Sequence, residues 1–239
     1  MKSISMVWLG QGGFLFESKN QRLLVDPFLS DIVEQRQGFK RLISPPLSIK
    51  ELNPDYIFIT HDHLDHFDPI ALPDIHKLYP NTPIIGPESI IKKAKVMGFD
   101  SSILMHVKIG ESHQFGEFNI KVAPAYHSDP FSVGLLINFN EKQIYLTADT
   151  ILNETLIHEI KSLSLSEIDV VLVCINGRLG NMNWLEAVSL VQELKPKKAI
   201  PMHYGMFAEN TEDPKPFVQA CKKLGISSFE MKPGIKTAL

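Results

Sequence analysis

The segment Thr60–His66, THDHLDH, places three histidines and two aspartates directly behind an apolar run, DYIFI. Imidazole and carboxylate at that density point to metal binding: packed imidazoles repel one another once protonated, and a bound cation removes that cost by taking their lone pairs. His61 and His63 stand two apart and, on an extended segment leaving a strand, face the same way, so both can reach one ion. Asp65 and His66 follow after Leu64 and suit a second ion. A solvated polar turn that happens to be rich in histidine is the competing reading.

One turn cannot supply every ligand of a two-ion site, and the chain offers partners in a single type of position. His127 ends NIKVAPAYH, Asp149 ends QIYLTAD and His203 ends AIPMH. Each is an apolar run terminating in a ligand-type side chain, as DYIFI does. Strands converging on one edge would each deliver a ligand there. The remaining histidines, His76, His106, His113 and His158, fall on predicted helices or mid-chain strands without companions and read as structural or exposed.

The elements that must position these groups follow from pattern. SISMVWLG, GFLFES and QRLLVD read as short strands separated by turns at Gln11-Gly12-Gly13 and Lys19-Asn20. Residues 28–54 break that rhythm with Arg36, Lys40, Arg41 and Pro45-Pro46, and read as a long loop with one helical turn at Ile49–Leu52, the place of a lid or binding loop. DYIFI is a buried strand, and Asp68-Pro69 starts a helix running to about Leu78, with the aspartate as N-cap. PIIG, ILMHVKI, HQFGEF, NIKVAPA, SVGLLINF, QIYLTAD, DVVLVCI, KKAIPMH and SSFEM read as further strands. Glu88 to Met97, NETLIHEIKSL, WLEAVSLVQEL and DPKPFVQACKKL read as helices. There are strands enough for two sheets and helices to cover their outer faces. The expected fold is α/β, a four-layer αββα sandwich in one domain over 1–239, with 28–54 as a cap within it.

A net charge of −3 over 239 residues, with no basic block, argues against nucleic acid as a partner. No run approaches the ~20 apolar residues of a membrane span. The N-terminus lacks the apolar core and small-residue cleavage site of a secretory signal, so a cytoplasmic location is expected. Two cysteines make no disulfide framework, and Cys174, inside VVLVCI, reads as buried and inert.

THDHLDH, followed in order by a histidine, a strand-ending aspartate and a final histidine, resembles the metallo-β-lactamase superfamily of metal-dependent hydrolases over nearly the whole chain. Val25-Asp26-Pro27 is similar to that superfamily's first motif. DPFLS, PPLS, INGR with a later Asn-Trp-x-Glu-Ala, and IPMHYGMF followed by ENTEDP resemble the branch containing L-ascorbate-6-phosphate lactonase. The resemblance implies that His61, His63 and His127 hold one divalent ion, that Asp65, His66 and His203 hold another, and that Asp149 bridges them. Zinc, manganese or iron would fill such a site, and the imidazole and carboxylate set does not choose among them. Asp26 would fix the tautomer of a ligand histidine, with Asp62 in a similar outer role. The chain departs from the pattern at Ala148, where the superfamily usually has glycine, and is shorter than the ascorbate-phosphate lactonase before the histidine cluster.

The expected function is hydrolysis of a small anionic ester or lactone, of the sugar-acid phosphate kind, by hydroxide generated between two ions. Asp65 would orient the hydroxide and return a proton to the leaving group, and Tyr204 would donate to the developing oxyanion. Asn176, Arg178 and Asn183, just past VVLVCI, would contact the substrate. A phosphodiesterase or nuclease of the same fold is the alternative. In another class stands a metal-binding redox or sensing protein, although the redox relatives place a glutamate where His63 stands. A homo-oligomer is compatible with the resemblance, and no segment specifies its interface.

Overall fold

A computed structural model describes residues 4–239. Ser5–Gly10 (β1), Gly13–Glu17 (β2) and Arg22–Val25 (β3) pair antiparallel, with Met6 opposite Phe16 and Phe16 opposite Leu23. Tyr56–Phe58 (β4), Ile84–Gly86 (β5) and Leu104–His106 (β6) extend β3 in parallel. The second sheet runs in chain order through Ser112–Phe115 (β7), Phe118–Pro124 (β8), Val133–Phe139 (β9) and Lys142–Leu146 (β10), all antiparallel. Val170–Cys174 (β11) and Lys198–Met202 (β12) then add in parallel. The C-terminal strand Lys236–Ala238 (β13) closes the first sheet against β1.

Helices Ile32–Gln37 (α1), Ile49–Leu52 (α2), Ala71–Leu78 (α3), Glu88–Val96 (α4), Glu154–Leu163 (α5), Trp184–Leu194 (α6) and Pro214–Lys223 (α7) complete the described residues. Met6, Trp8, Phe14 and Phe16 pack in one cluster with Ile120, Val122, Leu135 and Ile137 of the second sheet. Their neighbours Val7, Leu15 and Leu24 face the other way and pack with Leu72, Ile75, Ile90 and Ala94 of α3 and α4. Burial on both faces is why these strands are apolar throughout rather than alternating. On the far side, Leu156, Ile160, Leu190, Val191 and Phe217 bring α5, α6 and α7 onto the second sheet. The fold is the expected four-layer αββα arrangement.

Three elements differ from the sequence reading. Residues 28–54 contain a second helix, α1, which buries only Ile32 and Val33. SSFEM is not a strand: Ser227 makes a single bridge to Lys198, and the last strand is the short, half-polar KTA of β13. Helix α3 begins at Ala71, two residues after Pro69, although Asp68 still serves its start. Its Oδ1 accepts from the N–H groups of Ile70 and Ala71 at 2.9 Å, and its Oδ2 accepts from those of Leu29 and Ser30 at 3.0 and 2.8 Å. One buried carboxylate thus ties the 28–54 segment to the helix that follows the histidine cluster.

Strand direction decides where the ligands emerge. β1, β3 and β4 run one way in the first sheet, and β8, β10, β11 and β12 share a direction in the second. The residues that follow them are Gln11, Asp26, Thr60–His66, Tyr126-His127, Asp149, Asn176 and His203.

Candidate metal centre

These strand ends bring all seven expected ligand residues together. Three groups have donor atoms within 4.8 Å of one another: His61, His63 and His127; His61, His66 and Asp149; and Asp65, His66 and His203. Asp149 stands between the outer groups. Its Oδ1 is 3.4 Å from His66 Nε2, and its Oδ2 is 3.1 Å from His203 Nε2 and 3.8 Å from His127 Nε2. His63 Nδ1 lies 3.2 Å from His61 Nε2 and 3.1 Å from His127 Nε2.

Hydrogen bonds behind the cluster fix which nitrogen faces inward. His66 Nδ1 donates to Asp26 Oδ2 at 2.7 Å, and His127 Nδ1 donates to the Gly180 carbonyl at 3.0 Å, so both Nε2 lone pairs point at the centre. Asp26 is itself held by the N–H of Thr60 at 2.8 Å and its hydroxyl at 2.7 Å. His66 Nε2 and Asp149 Oδ1 are buried without any hydrogen-bond partner. Buried beside one another with no hydrogen-bond partner, the two suit a shared cation, which would satisfy both.

Charge follows the same logic. Burial, and then the neighbouring His66, hold His61 well below the ordinary imidazole range, and burial lowers His63 as well. Burial also opposes charge on His66 and His203, but the facing carboxylates of Asp149, Asp26 and Asp65 outweigh it for His66, which is raised well above its ordinary value. For His203, Asp149 and Asp65 win, pushing it up to about 9. Burial likewise opposes ionisation of Asp149 and Asp65, yet their imidazole partners hold both carboxyls below the usual range. Without a cation the cluster is therefore an array of protons shared between imidazole and carboxylate, which metal binding must displace.

The turns that carry the ligands are strained. Gln11, Asp26, Ala148 and His203 all have positive φ, between 44° and 62°. Such backbone costs of order 1–3 kcal/mol per residue and collects where geometry matters more than stability. Ala148, where the resemblance leads one to expect glycine, adopts φ 53°, a conformation that glycine meets without strain. Gly12 is required for room: a Cβ at that position would lie 2.6 Å from His66 Cε1.

The other predicted residues divide. Asp26 is buried against His66. Asp62 does not touch a ligand histidine; its carboxylate pairs with Lys93 at 2.9 Å and its N–H donates to Asp129. Asn176 is buried one step behind the site, donating to Asn210 Oδ1 at 2.7 Å and accepting from Asn181 at 3.0 Å. Arg178 is exposed. Asn183 caps α6, its Oδ1 accepting from the N–H groups of Leu185 and Glu186, so it is not brought to the cluster. Nor is Tyr204: the positive φ of His203 turns it away, its ring lies against Trp8, and its hydroxyl donates to the Met231 carbonyl. Cys174 is buried, and burial pushes its thiol up to about 12.

Sequence reasoning missed Gln11, whose Nε2 donates to Asp65 Oδ2 at 2.8 Å, and Asn181, whose Nδ2 donates to Asp149 Oδ2 at 2.8 Å. A cavity of about 290 Å³ opens onto His63, Asp65, His127 and Asp149, with Ser128, Asn181 and Asn210 beside them. Val33, Gln37 and Phe39 of the 28–54 segment form one wall, with Leu179 and Phe207.

Residues 21–204 match the family description "Beta-lactamase superfamily domain". A UPF0173 metal-dependent hydrolase of Pyrobaculum islandicum is 30% identical over 236 residues, covering 95% of this chain and 96% of that protein. The chain belongs to the metallo-β-lactamase superfamily of metal-dependent hydrolases. Among solved structures, a metallo hydrolase from Ignicoccus hospitalis superposes with a TM-score of 0.81 at 22% identity, covering 99% of this chain and 98% of that one. An isothiocyanate hydrolase from Delia radicum gut bacteria superposes with a TM-score of 0.78 at 17% identity, covering 100% and 99% of the two chains. At such identity the likeness is one of fold alone. No helix among the described residues is long and apolar enough to cross a membrane.

Proposed function

We propose that the protein hydrolyses a small ester or lactone with the help of two divalent ions, zinc or manganese, with iron as a further fit to the ligand set. His61, His63 and His127 would hold one ion, Asp65, His66 and His203 the other, with Asp149 shared. The observation that carries this reading is the chain of three ligand groups joined through His61 and His66, with Asp149 in the middle group and its Oδ1 and the Nε2 of His66 buried without hydrogen-bond partners. Bound there, divalent cations supply Lewis acidity and bring the deprotonation of water to mild pH.

The chain's own residues supply the rest. Asp65 lines the cavity, and Gln11 steadies its Oδ2, which makes it the carboxylate placed to take a proton from water and hand it to the leaving oxygen. Asn181 holds Asp149, while Asn176 ties Asn181 to Asn210 and fixes the amide floor on which a carbonyl would rest. Val33, Phe39, Leu179 and Phe207 wall that floor from solvent. His63, standing where the redox relatives place a glutamate, favours hydrolysis over oxygen chemistry.

The test is a hydrolysis screen of metal-reconstituted protein, with lactones, carboxylic esters, thioesters and phosphodiesters side by side and Asp65→Asn as the control. Lactone or ester turnover lost in the variant is expected. Turnover of phosphodiesters alone would overturn the ester reading, and equal activity in Asp65→Asn would overturn the role of Asp65.

A further inference from the structure

The charge of the expected substrate meets an unexpected cavity. Among the described residues that line it there is no lysine or arginine. Of the basic residues in the 28–54 segment, Arg41 is turned inward. Its guanidinium donates to the carbonyls of Ile43, Ser30 and Phe28 at 3.1, 3.0 and 3.4 Å and lies 4.6 Å from the Phe28 ring centroid. Arg36 and Lys40 are exposed and do not line the cavity. Arg178, next to Leu179, is exposed and does not line the cavity either, so positive charge beside Asp65 and Asp149 would be supplied by bound ions.

Leu179 makes the opposite case for apolar contact. It is 67% exposed, yet it lines the cavity, and it holds φ 53° between Gly177 and Gly180, whose φ values are also positive. The same left-handed backbone that brings Asn181 to Asp149 sets the Leu179 side chain at the cavity mouth. Phe39, Phe207 and Val33, which cluster together, supply the other apolar lining of the cavity. A volume of about 290 Å³ has room for about ten groups the size of a water or methylene.

We infer that the site selects an uncharged substrate carrying an alkyl or aryl substituent, which packs on Leu179, Phe39, Phe207 and Val33 while the carbonyl faces Asp65 and Asp149. This rests on the ester and lactone reading above and replaces the anionic substrate expected from the family resemblance. Each methylene brought against the wall contributes its transfer free energy, worth about fourfold in kcat/KM if it is realised in the transition state.

The experiment uses the metal-loaded protein with γ-butyrolactone, γ-hexalactone and γ-octalactone, and with the same chain lengths ending in a carboxylate. Expected is a rise of about fourfold in kcat/KM per methylene and a fall of at least about tenfold when the end is charged. Leu179→Ser, at an exposed position, should flatten the chain-length slope. Non-hydrolysable 2-alkylcyclopentanones, titrated by NMR, read the same preference as binding: Kd should fall with chain length and do so less in the variant. Lactone turnover with a flat slope, or with the carboxylates preferred, would overturn this inference and leave ester hydrolysis standing. Cyclopentanone binding indifferent to chain length and to Leu179 would overturn it whatever the turnover. Cleavage of bis(4-nitrophenyl) phosphate with no lactone or ester turned over would remove the ester reading and this inference with it.

Discussion

Replacing Asp26 by asparagine should cost metal affinity by reversing one hydrogen bond. The wild-type carboxylate accepts from Thr60 N–H on Oδ1 and from Thr60 Oγ1 and His66 Nδ1 on Oδ2. Asparagine is isosteric and can keep only one of those oxygens. If the oxygen stays on Thr60 N–H, an NH2 group faces His66 Nδ1, which must then accept rather than donate. The proton moves to Nε2, the nitrogen now facing Asp149 and Asp65 without a hydrogen-bond partner. In the other orientation the NH2 opposes the Thr60 N–H, which is worse for a wholly buried pair. Loss of such an outer partner typically costs 10- to 100-fold in metal affinity, or about 1.4–2.8 kcal/mol. Competition titration against a chromophoric chelator measures this for each equivalent of zinc. The reasoning predicts that one equivalent weakens by that factor while the other changes less, since His61 reaches Asp26 only through the Thr60 hydroxyl and His63 and His127 do not touch it. A variant that binds every equivalent within threefold of wild type would refute it.

Gly12→Ala should expel the metal held through His66 without unfolding the chain, because the added Cβ would sit 2.6 Å from that ring; elemental analysis and circular dichroism together check it. Ala148→Gly should relieve a left-handed alanine at φ 53°, raising stability by about 0.5–1 kcal/mol and Tm by about 1–4 °C by calorimetry. Metal loading at pH 7.5 should release protons. His203 is raised from its ordinary 6.5 to about 9, so it holds a proton that a ligand cannot keep. Affinity should therefore climb as pH rises toward 9. In the metal-free protein the stabilisation from charged His203 is full below about 6.5 and fades through 9. Calorimetry in buffers of different ionisation enthalpy counts the released protons, and a count of zero would contradict this picture.

The ligand set was readable because each buried strand is a continuous apolar run, and the residue that breaks the run marks the sheet edge. That describes β4, β10 and β12, whereas β8 alternates at Asn119 and Lys121 before its apolar end at residues 122–124. What escaped depends on backbone direction rather than residue type. Asn181 and Asn183 stand two apart in one short stretch, and positive φ at Leu179 and Gly180 turns the first toward Asp149 and leaves the second to cap α6. Tyr204 follows a strand-end histidine and so looked available, but φ 62° at His203 sends its ring to Trp8. Helix α1 was hidden because six residues burying only Ile32 and Val33 show no periodicity, and β13 because KTA is not an apolar run. Gln11 carried no signal beyond a turn-prone position; its role exists only because β1 ends beside β12, where its carbonyl accepts the His203 N–H at 3.1 Å.

The central claim is that seven side chains from four strand ends hold a pair of ions. Elemental analysis of apoprotein reloaded with zinc or manganese and dialysed free of excess tests it directly, with Asp149→Ala beside wild type. Two equivalents retained by wild type, and at most one by the variant that lacks the shared carboxylate, is the predicted result. Wild-type protein that is folded but retains no transition metal, or an Asp149→Ala protein that retains both equivalents with unchanged affinity, would contradict it.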